Sequence, residues 1–232
     1  VKRFYKDVKS ERRSDGFVVL LDGRTIRTPA KNALELPSSL LGDAIAAEWA
    51  AQFDETDPAS MPLTRHAYTA IDGVRRSAEQ VVDEIGRFGE TDLVCYRADG
   101  PRSLVAKQAE AWDPLLVWLQ EEHGAALAKT SGIMPIQQPP EALTVLKKTL
   151  KKHNAFELTA LHTIVSISGS LVIGLAASAG HLDASSAWQV SRVDHDFQAA
   201  VWGVDREAAA EAARARSNLN AAVQFLELAR AQ

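Results

Sequence analysis

Ala33-Leu-Glu-Leu-Pro-Ser-Ser-Leu-Leu-Gly-Asp-Ala-Ile-Ala-Ala-Glu-Trp49 is the stretch in which the chain changes its hydrophobic period. Up to Leu36 the pattern is that of strands. Pro37 closes the extended segment because proline cannot donate to a β ladder. Ser38 is then placed to cap a helix running through Leu41, Ile45, Ala46 and Trp49. Upstream of this break, Phe17-Val-Val-Leu-Leu21 and Arg24-Thr-Ile-Arg-Thr28 flank Asp22-Gly23, a dipeptide that tolerates both positive-φ positions of a type I′ hairpin turn. Phe4 to Val8 and Ala33 to Leu36 read as further strands, and Pro29 closes the second hairpin arm.

Downstream of the break the period is helical. Phe53-Asp-Glu-Thr-Asp-Pro58 ends the first helix. A second is predicted from Thr64, acting as its cap, to Phe88. Ala67, Ala70, Ile71, Val74, Ala78, Val81, Val82, Ile85 and Phe88 form its apolar stripe. Ser103 to Glu122 is helical with a restart at Asp113-Pro114, an Asp cap before a proline at the first helical position. Ser131 to Pro140 reads as a loop. Helices are predicted over Glu141 to Lys152, Ala155 to Ala179, Ala184 to Trp202, and from Asp205 to the end. The expectation is an α+β protein: a small antiparallel β-rich N-terminal domain with one helix over residues 1–60, then a larger all-α bundle over 61–232.

Composition narrows the function classes. With 232 residues, 46% hydrophobic and 24% charged, the chain can bury a sizeable core and is not of disordered type. A net charge of -4 gives no general attraction to nucleic acid or an anionic membrane. The densest basic group, Lys147, Lys148, Lys151 and Lys152, reads as a solvated helix face. One cysteine, Cys95, excludes an intrachain disulfide and points to a reducing compartment. Ile164 to Ala179 is the most apolar run, but it is too short to span a membrane and carries four serines, so no membrane insertion is expected. Val1-Lys-Arg-Phe-Tyr-Lys6 has neither a signal region nor a presequence pattern, which makes a cytoplasmic protein the expectation, or a matrix protein if the chain is a processed mitochondrial form.

No motif supplies a complete catalytic or metal-binding arrangement. Ser168-Gly-Ser-Leu-Val-Ile-Gly174 lacks the Lys-Ser/Thr ending of a phosphate loop, so its glycines read as close-packing positions. Cys95 lies between Val94 and Tyr96 and reads as a small buried hydrophobe. His195 sits between Asp194 and Asp196, but neighbours on a helix point apart, and no histidine pair stands four residues apart. Asp72 with Asp92, and Glu207 with Glu211, are the carboxylate pairs to weigh. The second pair suits the wet face of an Ala/Glu/Arg-rich helix. No metal and no cofactor are expected.

One helix stands out. Within Ala184 to Trp202, Val190, Val193, Phe197 and Val201 form an apolar stripe, while Trp188, His195 and Trp202 recur every seven residues on the other side, with Asp194 and Gln198 at the boundary. Such a helix is either buried on both sides or presents its tryptophans to a partner, for which Trp is a favoured anchor. Asp205, Glu207 and Glu211 would then supply rim charges. Trp49, beside Glu48, reads as core or as a contact residue.

Two blocks, Met61-Pro-Leu-Thr-Arg-His-Ala-Tyr-Thr-Ala-Ile-Asp72 and Thr91-Asp-Leu-Val-Cys-Tyr-Arg-Ala98, look like a signature without chemistry. They read as joints between the β unit and the bundle, with Arg65, Asp72, Asp92 and Arg97 as fasteners. Together with Ala47-Glu-Trp-Ala50, Gln108, Trp112-Asp-Pro114, Ser131-Gly-Ile133, Gln138-Pro139, Leu158-Thr-Ala-Leu-His162, Gly169-Ser-Leu171, Phe197-Gln198 and Trp202-Gly203, they make an ordered set. That set resembles the assembly-chaperone family that receives the alpha subunit of the F-type ATP synthase head. The likeness departs at Asp194-His195-Asp196, where family members carry a glutamate-rich run.

The resemblance implies a β-rich N-terminal domain, a helical C-terminal domain and a non-enzymatic holding role. The partner would be the free alpha subunit, bound by a monomer that covers the surface destined for the beta subunit. Partner-binding candidates are Trp49, Asp194, Gln198, Trp202, Glu207 and Glu211. The rival reading is a small-molecule enzyme in which Arg65, Asp72, Asp92 and Arg97 converge in an interdomain cleft. A generic helical scaffold is a third.

Overall fold

The computed structural model describes residues 2–14, 16–132 and 134–231; Ile133 of the Ser131-Gly-Ile133 block lies outside them. The N-terminal strands are β1 (Val8–Arg13), β2 (Gly16–Leu21), β3 (Arg24–Thr25) and β4 (Glu35–Leu36). All pairings are antiparallel and centre on β2, which takes β1 along one edge and β3 and β4 in succession along the other. Asp22 and Gly23 adopt φ of 48° and 78°, as the two-residue turn requires, and Leu21 pairs with Arg24 across it. The first strand lies beyond the expected Phe4 to Val8. Its sequence, Val-Lys-Ser-Glu-Arg-Arg, carries no apolar alternation, and only pairing with β2 makes it a strand.

Helix α1 (Ser39–Ala50) starts where the period changes, with the Ser38 hydroxyl accepting the Leu41 N–H at 3.1 Å. It packs on the sheet through Leu41, Gly42 and Ile45, all buried. A Cβ at Gly42 would lie 2.5 Å from Ser10 Oγ, so a larger residue there would require that hydroxyl to turn away. Val18 to Leu21 are all buried, and alternation is lost in β2 because both its faces are covered.

The predicted helix from Thr64 to Phe88 is two helices, α2 (Pro62–Asp72) and α3 (Ala78–Arg87), separated by a 3-10 turn at Val74–Arg76. The apolar stripe stays in phase across Gly73 and Ser77, so periodicity does not register the break. Thr64 is not the cap. Pro62 occupies the first turn, and the N–H groups of Leu63 and Thr64 are taken by the Glu48 carboxylate at 2.7 and 2.8 Å, with the Thr64 hydroxyl adding a third bond at 2.7 Å. A side chain of α1 thus caps α2.

Contacts group the chain into two compact units rather than by a single cut at residue 60. The first comprises Val1–Ala78, Asn154–Ala160 and Gln224–Gln232, and the second Glu79–His153 and Leu161–Val223. In the first, Phe156 and Phe225 stack at 6.0 Å and His66 lies 5.2 Å from Phe225. Ser38 also donates to the Leu228 carbonyl, at 2.5 Å.

The second unit is helical apart from a short parallel pair, β5 (Tyr96–Arg97) with β6 (Thr130–Ser131). Helix α4 (Arg102–His123) runs unbroken through Pro114, contrary to the expected restart. The Asp113 carboxylate does not cap a new helix and instead reaches Arg97 and Lys129, each at 3.0 Å. Then follow α5 (Pro140–Leu150), α6 (Ala155–Ser168), α7 (Leu171–Ser178), α8 (Ala184–Ser191), α9 (Val193–Trp202) and α10 (Arg206–Arg230). The predicted helix from Ala155 to Ala179 breaks at Gly169, whose φ of +70° ends α6, and Ser170 caps α7. The one predicted from Ala184 to Trp202 breaks at Arg192. Close packing at Gly174 is as expected, since a Cβ there would overlap Val165 Cγ2. No helix among the described residues is long and apolar enough to cross a membrane.

Replacing Glu48 with Ala is expected to lower the unfolding free energy by roughly 2 kcal/mol, because two buried helix-start donors lose their acceptor. Urea denaturation of Glu48→Ala and Glu48→Gln checks this, the glutamine being the milder because it keeps one acceptor oxygen.

Candidate functional site

The four expected fasteners have separate tasks and do not meet at one point. Asp72, at the end of α2, binds the loop after β3: it accepts from Thr28 Oγ1 at 2.6 Å, Ala30 N at 2.9 Å and Asn32 Nδ2 at 2.7 Å. Burial works against its charge, but these bonds and nearby Arg76 outweigh it and hold the carboxyl below its usual range. Asp92 belongs to the second unit and is fully buried. It accepts from Val94 N at 3.2 Å, Ser170 Oγ at 2.6 Å and Val172 N at 3.0 Å, capping a 3-10 turn and α7 together. Loss of solvent dominates there and pushes its pKa up to about 6 against the lowering effect of the bonds.

Arg97 donates to the carbonyls of Val94 at 2.8 Å and Gln108 at 3.1 Å, and its guanidinium stands 5.1 Å over the Trp112 ring. Its Nη2 lies 3.0 Å from Asp113 but is not directed at it, so that contact is an ion pair rather than a hydrogen bond. Arg65 corrects the expectation: it is exposed on α2 and, among the described residues, its side chain makes no hydrogen bond or ion pair. The bonds described for Asp72 lie within the first unit, and those for Asp92 and Arg97 within the second. A catalytic cleft would bring such groups together to face a substrate, whereas here Asp72, Asp92 and Arg97 each bond to separate structural partners. Cys95 is buried, and burial with Asp92 nearby raises its thiol to about 12, so it carries no thiolate near neutral pH.

The partner candidates divide in the same way. Trp49 is packed rather than presented: its ring meets Tyr5 edge-on at 5.7 Å and its Nε1 is shielded from solvent. Asp194 is taken by the side chain of Gln108 on α4, at 2.6 Å. Gln198 and Trp202, by contrast, line an open groove of ≈ 540 Å³ between α8–α9 and the start of α10. Trp188 and His195 line it too, so the seven-residue recurrence does describe one surface. The opposite wall is Ala208, Ala209 and Ala212. Glu207 and Glu211 are exposed on α10 but do not line the groove.

The apolar stripe expected to bury this helix does not do so. Val193 and Phe197 are half-buried, Val201 is 57% exposed, and none of the ten residues of α9 is buried. Trp202 is 85% and Val204 69% exposed. Sequence reasoning quoted Gln108 and Trp112 only for the family likeness and missed their role in this region: Trp112 Nε1 donates to the Val190 carbonyl at 2.7 Å. A signal for Gln108 was present. Gln108, Trp112, Leu115 and Leu119 are the buried stripe of α4, and a glutamine in phase with such a stripe must bond inside the fold.

The family model described as ATP12 chaperone protein matches residues 2–120. The crystal structure of Atp12 from Paracoccus denitrificans is 43% identical, covers 99% of this chain and 98% of its own, and superposes with a TM-score of 0.96. The chain belongs to the ATP12 chaperone family. A structure described as a putative chaperone from Agrobacterium tumefaciens is 42% identical over 98% of this chain and 85% of that one, with a TM-score of 0.93. Mitochondrial atp12 of Schizosaccharomyces pombe is 24% identical over 218 residues, 87% of this chain and 74% of its own.

Within this ATP12 family member the blocks that carried the resemblance have structural tasks. The glutamate of Ala47-Glu-Trp-Ala50 caps the helix that opens at Met61-Pro-Leu-Thr. The aspartate of Thr91-Asp-Leu caps the helix that opens at Gly169-Ser-Leu171. Gln138 closes both its amide atoms on Ala128, at 2.8 and 3.0 Å.

Asp92 should show a definite pH signature. Its folded-state pKa of about 6 exceeds the ordinary 3.8, so the native state holds the proton more tightly than the unfolded chain. The stability this contributes is present below pH 4 and is lost as pH rises through 6. Relative to Asp92→Asn, the unfolding free energy of the native sequence should fall by roughly 3 kcal/mol across that window, measured by denaturant titration at each pH.

Proposed function

We propose that this chain is an assembly chaperone of the F-type ATP synthase head, which binds the free alpha subunit, holds it against aggregation and releases it to the beta subunit. The observation that carries this reading is the exposed Trp202, flanked by exposed Val201 and Val204 at the mouth of a groove walled by helices. Contiguous apolar surface of this kind marks a protein-binding site, and a tryptophan at its centre is the strongest anchor type. An unassembled subunit exposes apolar interface of its own, and a holder needs a complementary surface but no nucleotide.

The chaperone works as a monomer and without a cofactor or enzymatic step. Asp72, Asp92 and Arg97, which the small-molecule alternative would need, are committed to structure. Gln198 and Trp202 contact the client, and Glu207 and Glu211 act at the edge of the contact. The greater identity to the Paracoccus protein than to the mitochondrial one supports a bacterial cytoplasmic setting.

Purified alpha subunit diluted from denaturant should scatter less light when this chain is present. Absence of both that effect and a complex in gel filtration would sink the proposal. Trp202→Ala should weaken the complex by a factor of about thirty, as expected for loss of a central aromatic anchor, with circular dichroism unchanged. Glu211→Ala, at the exposed edge, should cost less than about fivefold.

A further inference from the structure

Helix α9 carries Trp202 but has no core of its own. None of its residues is buried, and it is flanked by two open grooves, one of ≈ 540 Å³ towards α10 and one of ≈ 510 Å³ towards α4, which share Asp196. A helix without buried side chains takes its direction from specific contacts. The tightest of these is at its first turn, where Gln108 Nε2 donates to Asp194 Oδ1 at 2.6 Å. Others are the exposed Lys107 ammonium, 5.7 Å from the centre of the Phe197 ring, and the ion pair of Arg192 with Asp196 at 3.7 Å.

Gln108 is itself buried and bonded on several sides. It is 2% exposed, and its Oε1 accepts the Ala98 N–H at 2.8 Å. With its oxygen engaged by a donor, its amide nitrogen must face an acceptor, which fixes the orientation of the group. Its backbone carbonyl is held by Arg97. The bonds therefore run from the Thr91–Ala98 block through Gln108 to Asp194. Trp202 lies eight residues further, about 12 Å along the helix, so a tilt of about 10° at Asp194 would move the indole by about 2 Å.

We infer that Gln108 is the positioning residue of the client surface, a buried amide that clamps Asp194 and so aims α9 and Trp202. This rests on the proposed client surface for its functional meaning, though not for its structural claim. Asp194 is then a tether and not a client contact.

The test uses the full chain with Gln108→Glu, Asp194→Ala and Asp194→Asn. The glutamate keeps an acceptor for Ala98 but repels Asp194, the alanine removes the acceptor, and the asparagine retains an oxygen for Gln108. Amide hydrogen exchange over residues 193–204 should rise about tenfold in Gln108→Glu and Asp194→Ala, in line with losing one charge-assisted bond. In Asp194→Asn it should stay within about threefold of the native rate. Binding of purified alpha subunit should follow the same order, with the asparagine restoring what the alanine loses. Should Gln108→Glu fail to fold by circular dichroism, the Asp194 pair decides alone. Unchanged exchange over 193–204 in Asp194→Ala, or equal damage by Asn and Ala, would overturn the inference. If Trp202→Ala leaves alpha-subunit binding intact, the client surface is wrong, while the exchange result still decides whether Gln108 holds α9.

Discussion

The N–H groups at the start of a helix have no partners inside that helix, and two carboxylates distant in sequence supply them here. Glu48 takes the first donors of α2, and Asp92, fully buried, takes those of α7. A buried donor without an acceptor costs on the order of a hydrogen bond or more, and negative charge is favoured at a helix start. Each carboxylate therefore satisfies one end of a helix and fixes where that end lies relative to another element of the same unit. Asp72 does the same for the loop from Thr28 to Asn32. Packing of the apolar stripes then proceeds on ends that are already set.

Against this, α9 is built differently. α7 is buried along its whole length, whereas α9 has grooves on both sides and an exposed tryptophan at its end. Stability in a fold is uneven, and surfaces that bind are drawn from the less buried parts. A surface-exposed helix can still be well aimed if a buried polar group holds it. Gln108 has that position, with the Arg97 guanidinium and the Ala98 N–H behind it. The signature-like Thr91 block then has a physical content: it supports a helix that presents apolar surface, without carrying any chemistry.

Much of the architecture was legible in local patterns. Asp22-Gly23 turned the hairpin as its residue types demand, Ser38 capped α1, and Gly174 permitted close helix contact. The breaks at Gly73 and Arg192 leave the apolar stripe in phase, the run around Gly169 is apolar without a stripe, and Pro114 was tolerated inside α4, so periodicity neither marks the real breaks nor excludes the false one. Strand β1 is polar and is defined by its partner strand. Trp49 and Asp194 had the residue types of a contact surface, yet one is packed against Tyr5 and the other is bonded to Gln108.

The sequence by itself determined the α+β class, the place where the period changes, and the Trp188, His195 and Trp202 spacing that the groove displays. These depend on interactions within a few turns or strands, which local order reports. The tertiary structure alone decided which carboxylate caps which helix, that α9 has grooves on both sides, and that buried Gln108 is bonded to Asp194. Those facts join residues separated by between 15 and 86 positions, and a one-dimensional pattern carries no record of which buried donor meets which acceptor.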